Sequence, residues 1–174
     1  TETFADGILD IYDYFSGKNH LKEKKIFFVG DPKVRIKEDY LRILRFFRFK
    51  SRFSLHADTN TLNAIAGLKD GLTSISQERK TKELEDLFVT PQAIEHLEKM
   101  YQLGLWPYLL HFLPQELFNN DDFSNRVLNI LKSLEEQKLV INWCLFVAAI
   151  CFAWKQTLGQ IVELDQIDHI WREL

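Results

Sequence analysis

Residues 38–42 read Glu-Asp-Tyr-Leu-Arg, which sets a carboxylate, Asp39, three places before a guanidinium, Arg42. On a helix that spacing points the two side chains in neighbouring directions, so an acceptor stands beside a planar fork of donors. Cytosine and adenine each present an amino donor next to a ring-nitrogen acceptor, and such a pair meets both contacts correctly. Guanine and uracil present a carbonyl next to a protonated ring nitrogen, which sets acceptor against acceptor and donor against donor. A polar site left unmatched rejects the wrong partner strongly. The pair can therefore sort C and A from G and U with no template strand. The same spacing also makes a plain surface ion pair, which contributes about 0.2–0.5 kcal/mol to a helix. Spacing alone fits both readings.

The element that must carry this pair is predicted as one helix over 38–53. At about 100° per residue, Arg42, Arg45, Arg48 and Arg52 fall on one face roughly 120° wide, with Ile43, Leu44, Phe46 and Phe47 opposite. Residues 33–52 hold eight Lys or Arg against Glu38 and Asp39, a surplus of six, so with a chain total of −3 the remainder carries −9. A compact basic block in an acidic chain marks a local site for an anionic partner. The stripe has two readings. Its arginines can meet phosphates, or they can pair with acids of the same fold such as Glu78 and Glu83. We expect a division, with Arg42 and Arg45 toward a nucleotide and Arg48 and Arg52 toward RNA backbone but partly structural.

Around this helix the chain reads as mainly α. Residues 7–15 and 25–29 are β-branched and aromatic, separated by a turn-rich stretch, and predict a hairpin. A lone hairpin is marginal in water, so further strands are expected elsewhere. Gly30-Asp31-Pro32 breaks the chain. Asp58-Thr59 can cap a helix ending near Gly67 or Gly71, and Ser74 or Ser76 can start the next. Pro91 opens a helix stopped by Gly104, Pro107 and Pro114 frame a short one, and Ser124 starts another through Leu134. Two more are expected over 140–156 and 160–174. Asp121-Asp122 is expected in a solvated loop.

Several function classes find no support. Cys144 and Cys151 lie seven apart in an apolar run and form neither a CxxC pair nor a disulfide framework, which suggests buried thiols in a reducing, cytoplasmic setting. The apolar stretch 139–154 is interrupted by Asn142 and is shorter than the roughly 20 residues of a membrane span, so no membrane role is expected. His20, His56, His96, His111 and His169 show no metal-ligand spacing, and no metal site is expected within the chain. Trp106, Trp143, Trp154 and Trp171 sit in helical apolar settings and are expected in cores.

Ordered motifs sharpen the reading. Asp13-Tyr14-Phe15-Ser16-Gly17, then Phe28-Val29-Gly30-Asp31-Pro32 with Arg35-Ile36, then EDYLRILRFFRF over 38–49, then Ile75-Ser76-Gln77-Glu78-Arg79 with Glu83-Leu84, follow one another across about half of the chain. In this order they resemble class II tRNA nucleotidyltransferases and bacterial poly(A) polymerases. The resemblance makes Glu38, Asp39 and Arg42 the EDxxR motif that reads the incoming base. It makes Asp13, Ser16 and Gly17 a hinge after the catalytic head, and Glu78, Arg79 and Glu83 a buttress for the base-reading helix. Ser16 departs from the family's glycine, His20 from an acidic residue, and Lys80 from an apolar one.

The resemblance implies three parts: 1–31 as the remnant of a head domain, 32–90 as a neck that recognises the base, and 91–174 as a helical body that binds RNA. It implies ATP, CTP and the tRNA 3′ end as partners. The family's head carries a D-x-D carboxylate pair after a Gly-Ser turn, and no such arrangement occurs in this chain. Mg2+ is therefore expected for the complete enzyme on residues absent from this chain, with no catalytic residue here and no activity from this chain by itself. A poly(A) polymerase and a non-catalytic helical RNA-binding module are the alternatives.

Overall fold

The computed structural model describes residues 12–158 apart from Phe112 and Asn120. Residues 7–11 of the expected hairpin and the whole expected helix 160–174 lie outside the described residues. The described chain is mainly helical, as expected, with one two-stranded sheet.

The hairpin is a correction. Residues 12–15 turn rather than extend, because the Asp13 carboxylate accepts hydrogen bonds from the backbone N–H of Gly17 (2.7 Å) and Lys18 (2.9 Å). That satisfies the first donors of helix α1, Gly17–Lys22. Ser16, which precedes it, is held in the left-handed region at φ 56°. Strand β1 is only Lys25–Ile26 and pairs in parallel with β2, His56–Ala57, in the register Lys25↔His56 and Ile26↔Ala57. Parallel pairing needs a long crossover, and two helices supply it.

Those helices are the second correction. The sequence predicted one helix from residue 38, whereas α2 runs Pro32–Glu38 and α3 runs Arg42–Arg52. Asp31 caps α2 by accepting from the Lys33 N–H at 2.8 Å, with Pro32 in the first turn, where its missing N–H costs nothing. Asp39 ends α2 in extended backbone (φ −159°, ψ 105°). Its carboxylate then accepts from the Leu41 N–H at 3.1 Å and its carbonyl from the Arg42 N–H at 3.1 Å. The Asp side chain competes with the helix for backbone donors and starts a new one at an elbow.

Beyond α3, Asp58 caps α4 (Thr59–Gly67) by accepting from Thr61, and a 3₁₀ turn over Lys69–Ser74 leads into α5 (Gln77–Phe88). Helix α6 (Ala93–Gln102) ends before Gly104, whose φ of 70° suits glycine. A short α7 (Trp106–Leu109) and a 3₁₀ turn (Gln115–Phe118) precede α8 (Asp121–Glu136) and α9 (Trp143–Leu158). Helix α8 begins at Asp121, not at Ser124. Asp121 and Asp122 form its acidic first turn, where the helix dipole favours them, instead of the expected loop. Asp121 accepts from the Tyr101 hydroxyl, and Asp122 accepts from Arg126 at 2.8 Å.

One hydrophobic cluster runs from Ile36 through Phe47, Leu84, Met100, Trp106 and Val127 to Trp154. Trp106, Trp143 and Trp154 lie in it, as the apolar periodicity predicted; Trp171 falls outside the described residues. The thiols are a further correction: Cys144 is exposed and Cys151 half-buried, because α9 packs only one side against the core. No helix among the described residues is long and apolar enough to cross a membrane.

Candidate functional site

The basic face of α3 and its surroundings hold most of the candidate side chains. Asp39 and Arg42, expected side by side, do not pair. With Asp39 at the elbow rather than on the helix, Arg42 turns back toward α2. Its Nη1 donates to Glu38 at 2.7 Å and to the Arg35 carbonyl at 2.9 Å. Glu38 also accepts from Arg35 at 2.6 and 2.8 Å. The Arg42 contact above all holds the Glu38 carboxyl below its usual range. Glu38 therefore anchors Arg42 across the elbow and leaves the remaining donors of the Arg42 fork for something else.

The Asp39 carboxylate, about a quarter exposed, has Arg79 Nη2 at 3.6 Å and Arg45 Nη1 at 3.9 Å. Both are too long for hydrogen bonds. Asp39 thus keeps acceptor capacity in a cationic setting. Of the residues the motif reading made a buttress, Arg79 faces Asp39 and Glu83 lies beneath the stripe. Glu78 makes no ion pair among the described residues.

Glu83 is the structural centre of the stripe. Its side chain is 9% exposed and its two oxygens accept separately, from Arg45 Nε at 2.9 Å and Arg48 Nε at 2.8 Å. The hydrogen bond to Glu83 raises the Arg45 pKa above its ordinary value. The reading that pairs the stripe with acids of the fold thus holds at Glu83. Arg45 and Arg48 are bound to an acid of the fold while Arg45 stays about half exposed. Arg48 and Arg52 also stack over Phe49 and Phe53, 4.5 and 5.8 Å from the ring centres.

Beside Arg42 and Arg45 opens a cleft of about 280 Å³ lined also by Ile26, Phe27, Phe28, Phe46 and Phe49. Aromatic faces next to guanidinium forks suit a flat, polar-edged ring. Sequence reasoning missed Phe27 and Phe28 here because it assigned them to a hairpin. Tyr40, between Asp39 and α3, lies flat on Gly71, where a Cβ would sit 2.0 Å from its ring. The expected hinge residues Asp13, Ser16 and Gly17 form the α1 cap.

Comparison with known proteins places these features in context. Residues 54–116 match the family described as "Probable RNA and SrmB- binding site of polymerase A". CCA tRNA nucleotidyltransferase 1, mitochondrial, of Homo sapiens is 40% identical over 139 residues, 74% of this chain and 32% of that protein. Its Danio rerio counterpart is 46% identical over 106 residues, 59% of this chain and 24% of that protein. The CCA-adding enzyme of Bacillus licheniformis is 40% identical over 99 residues, 57% of this chain and 25% of that protein. The chain thus spans about a quarter to a third of the length of the curated relatives it matches.

Proposed function

The chain belongs to the class II tRNA nucleotidyltransferase and poly(A) polymerase family, and on that premise we propose that its α2–α3 elbow selects the incoming base during template-independent addition of C and A to the tRNA 3′ end. The observation that carries this reading is the Asp39 carboxylate. It is partly exposed, its ion pairs with Arg79 and Arg45 are stretched to 3.6 and 3.9 Å, and Arg45 in turn lines, with Arg42, the aromatic cleft of about 280 Å³. Asp39 accepts from the exocyclic amine of C or A, and Arg42 donates to the ring edge. Arg45 serves the same nucleotide, while Arg48 and Arg52 face RNA. Glu83 and Arg79 hold the elbow in shape.

ATP, CTP and tRNA are the partners on this reading. The Mg2+ that phosphoryl transfer needs belongs to carboxylates outside this chain, whose sequence lacks the D-x-D pair after a Gly-Ser turn. By itself the chain binds and does not polymerise, so with Mg2+, CTP and ATP it leaves a tRNA lacking its CCA end unextended. A poly(A) polymerase would share the elbow chemistry, and the product of the complete enzyme separates the two.

Titration of the chain with each of the four nucleoside triphosphates tests the elbow. Wild type prefers CTP and ATP. Asp39→Ala loses about 1–3 kcal/mol of that preference, the scale of one good polar base contact, and about 0.5–2 kcal/mol of folding stability with the lost cap. An unchanged preference in Asp39→Ala would leave the residue as a helix cap and nothing more.

A further inference from the structure

A second cavity, about 490 Å³, lies between α3, β2, α4 and α6 and is lined by Lys50, His56, Ala57, Leu62, Glu95, His96, Glu98, Lys99 and Gln102. It falls within the size range of small-ligand sites. Lys50 stands roughly 160° round α3 from both Arg48 and Arg52 at 100° per residue, so this cavity is not part of the arginine face.

At its base sits His96, fully buried. Its Nδ1 faces the Gln92 carbonyl at 2.8 Å and must donate to it, so Nε2 is an acceptor, and Lys50 Nζ lies 3.0 Å from it. Burial pushes the His96 pKa below its ordinary value and keeps the ring neutral. The ring is also locked edge-on against Phe47, with centres 6.4 Å apart. A neutral, fixed imidazole therefore holds the Lys50 ammonium at the cavity wall with further N–H donors unspent. Lys99 and His56 add cationic or donor capacity. Glu98 is offset by Lys132 at 2.8 Å, while Glu95 has no ion pair among the described residues. Ala57 and Leu62 supply an apolar patch.

Two ammonium groups for a phosphate, the Glu95 carboxylate and the Gln102 amide, whose oxygen accepts from Lys99 at 3.3 Å, for sugar hydroxyls, and an apolar patch beside them match one unit of a polyribonucleotide. Every lining residue except Lys50 falls within the segment 54–116 that matches the RNA-binding family. We propose that this cavity seats a single ribonucleotide of the bound RNA, its phosphodiester on Lys50 and Lys99 and its ribose hydroxyls toward Glu95 and Gln102. The proposal rests on the RNA-binding reading above and assigns that binding a pocket away from the elbow.

The test uses the 174-residue chain and a fluorescently labelled tRNA lacking its terminal CCA, titrated by anisotropy. Lys50→Met and Lys99→Met are expected to bind roughly tenfold more weakly, the effect of one charge-assisted hydrogen bond, with CTP and ATP binding unchanged. Folding is checked by thermal unfolding, and Lys99→Met at the pocket wall remains informative if Lys50→Met does not fold. In parallel, the imidazole ¹H–¹⁵N resonances of His56 and His96 shift on addition of the tRNA and not of CTP. Wild-type tRNA affinity in the Lys99→Met variant, with unmoved imidazoles, overturns the pocket and leaves the elbow standing. Imidazole shifts with free CMP but none with tRNA overturn it as well, since the cavity would then serve a free nucleotide. No tRNA binding by the wild-type chain sinks this proposal and the RNA-binding reading together.

Discussion

Replacing Glu83 by Gln removes the one carboxylate that two arginines of α3 share while keeping its size. Each of the two contacts, at 2.8 and 2.9 Å, is a charge-assisted hydrogen bond, a class that contributes about 1.5–3 kcal/mol apiece. They are not equal. Arg48 is 16% exposed and its bond keeps most of that value, whereas Arg45 is 46% exposed and its share falls to about 0.5 kcal/mol under solvent screening. Glu83→Gln is therefore expected to lower the unfolding free energy by about 2–3 kcal/mol. The amide also turns an N–H₂ toward a guanidinium, donor against donor. The assay is urea unfolding of Glu83→Gln, Arg48→Met and the double variant, read as a thermodynamic cycle. A coupling of about 2 kcal/mol between positions 83 and 48 is expected, along with weaker selection among nucleotides as Arg45 loosens. A stability loss below about 0.5 kcal/mol, or full additivity, would refute the claim that Glu83 joins α5 to α3.

Burial pushes the Lys80 ammonium down to about 8 from 10.5. The folded chain thus holds this proton less tightly than the unfolded one, and stability rises with pH between those values. Lys80→Met is expected to gain about 1–3 kcal/mol at pH 7 and to lose that pH-dependent rise, as seen in thermal unfolding at pH 7 and pH 10; a less stable variant at pH 7 would contradict this. Gly71→Ala drives a methyl into the Tyr40 ring. It should cost about 1–3 kcal/mol in urea unfolding and blunt the choice of base, because Tyr40 adjoins Asp39. Ser16→Gly relieves a left-handed backbone and should stabilise the chain by about 1 kcal/mol, measurable as a higher melting temperature.

The helical class, the caps at Asp58 and Gly104, the apolar side of α3 and the tryptophan core were legible in the sequence because each rests on a local rule. Periodicity could not show that Asp39 would trade its place in a helix for a cap. A period of 3.6 passes unbroken through an elbow of three residues, and only the competition between side chain and backbone decides it. Residues 25–29 looked like a hairpin strand because strand propensity names no partner, and β1 found β2 about thirty residues away. The division of the arginines was half legible: Glu83 was a named candidate partner, but its grip on two guanidinium groups at once depends on how α5 crosses α3. His96 was dismissed with the other histidines for lack of ligand spacing. Yet it lies three places after Ala93 and four before Met100 on the buried side of α6, a helical signal that marks a core histidine.

The Glu83 clamp also bears on how RNA binding should respond to ionic strength. A free cation that meets a phosphate expels a condensed counterion, and each such contact steepens the fall of log K with log salt by about 0.9 for a duplex. Counted from the sequence, the two of the stripe's four arginines proposed to face RNA, Arg48 and Arg52, would expel two. In the folded chain Arg42 already has Glu38, and Arg45 and Arg48 already have Glu83; among the described residues only Arg52 of the four lacks a carboxylate. Arginines that arrive with their own counter-charge displace few ions from the nucleic acid. On the proposed reading, RNA held on the α3 face shows a salt slope nearer one than the two that Arg48 and Arg52 would give if both were free.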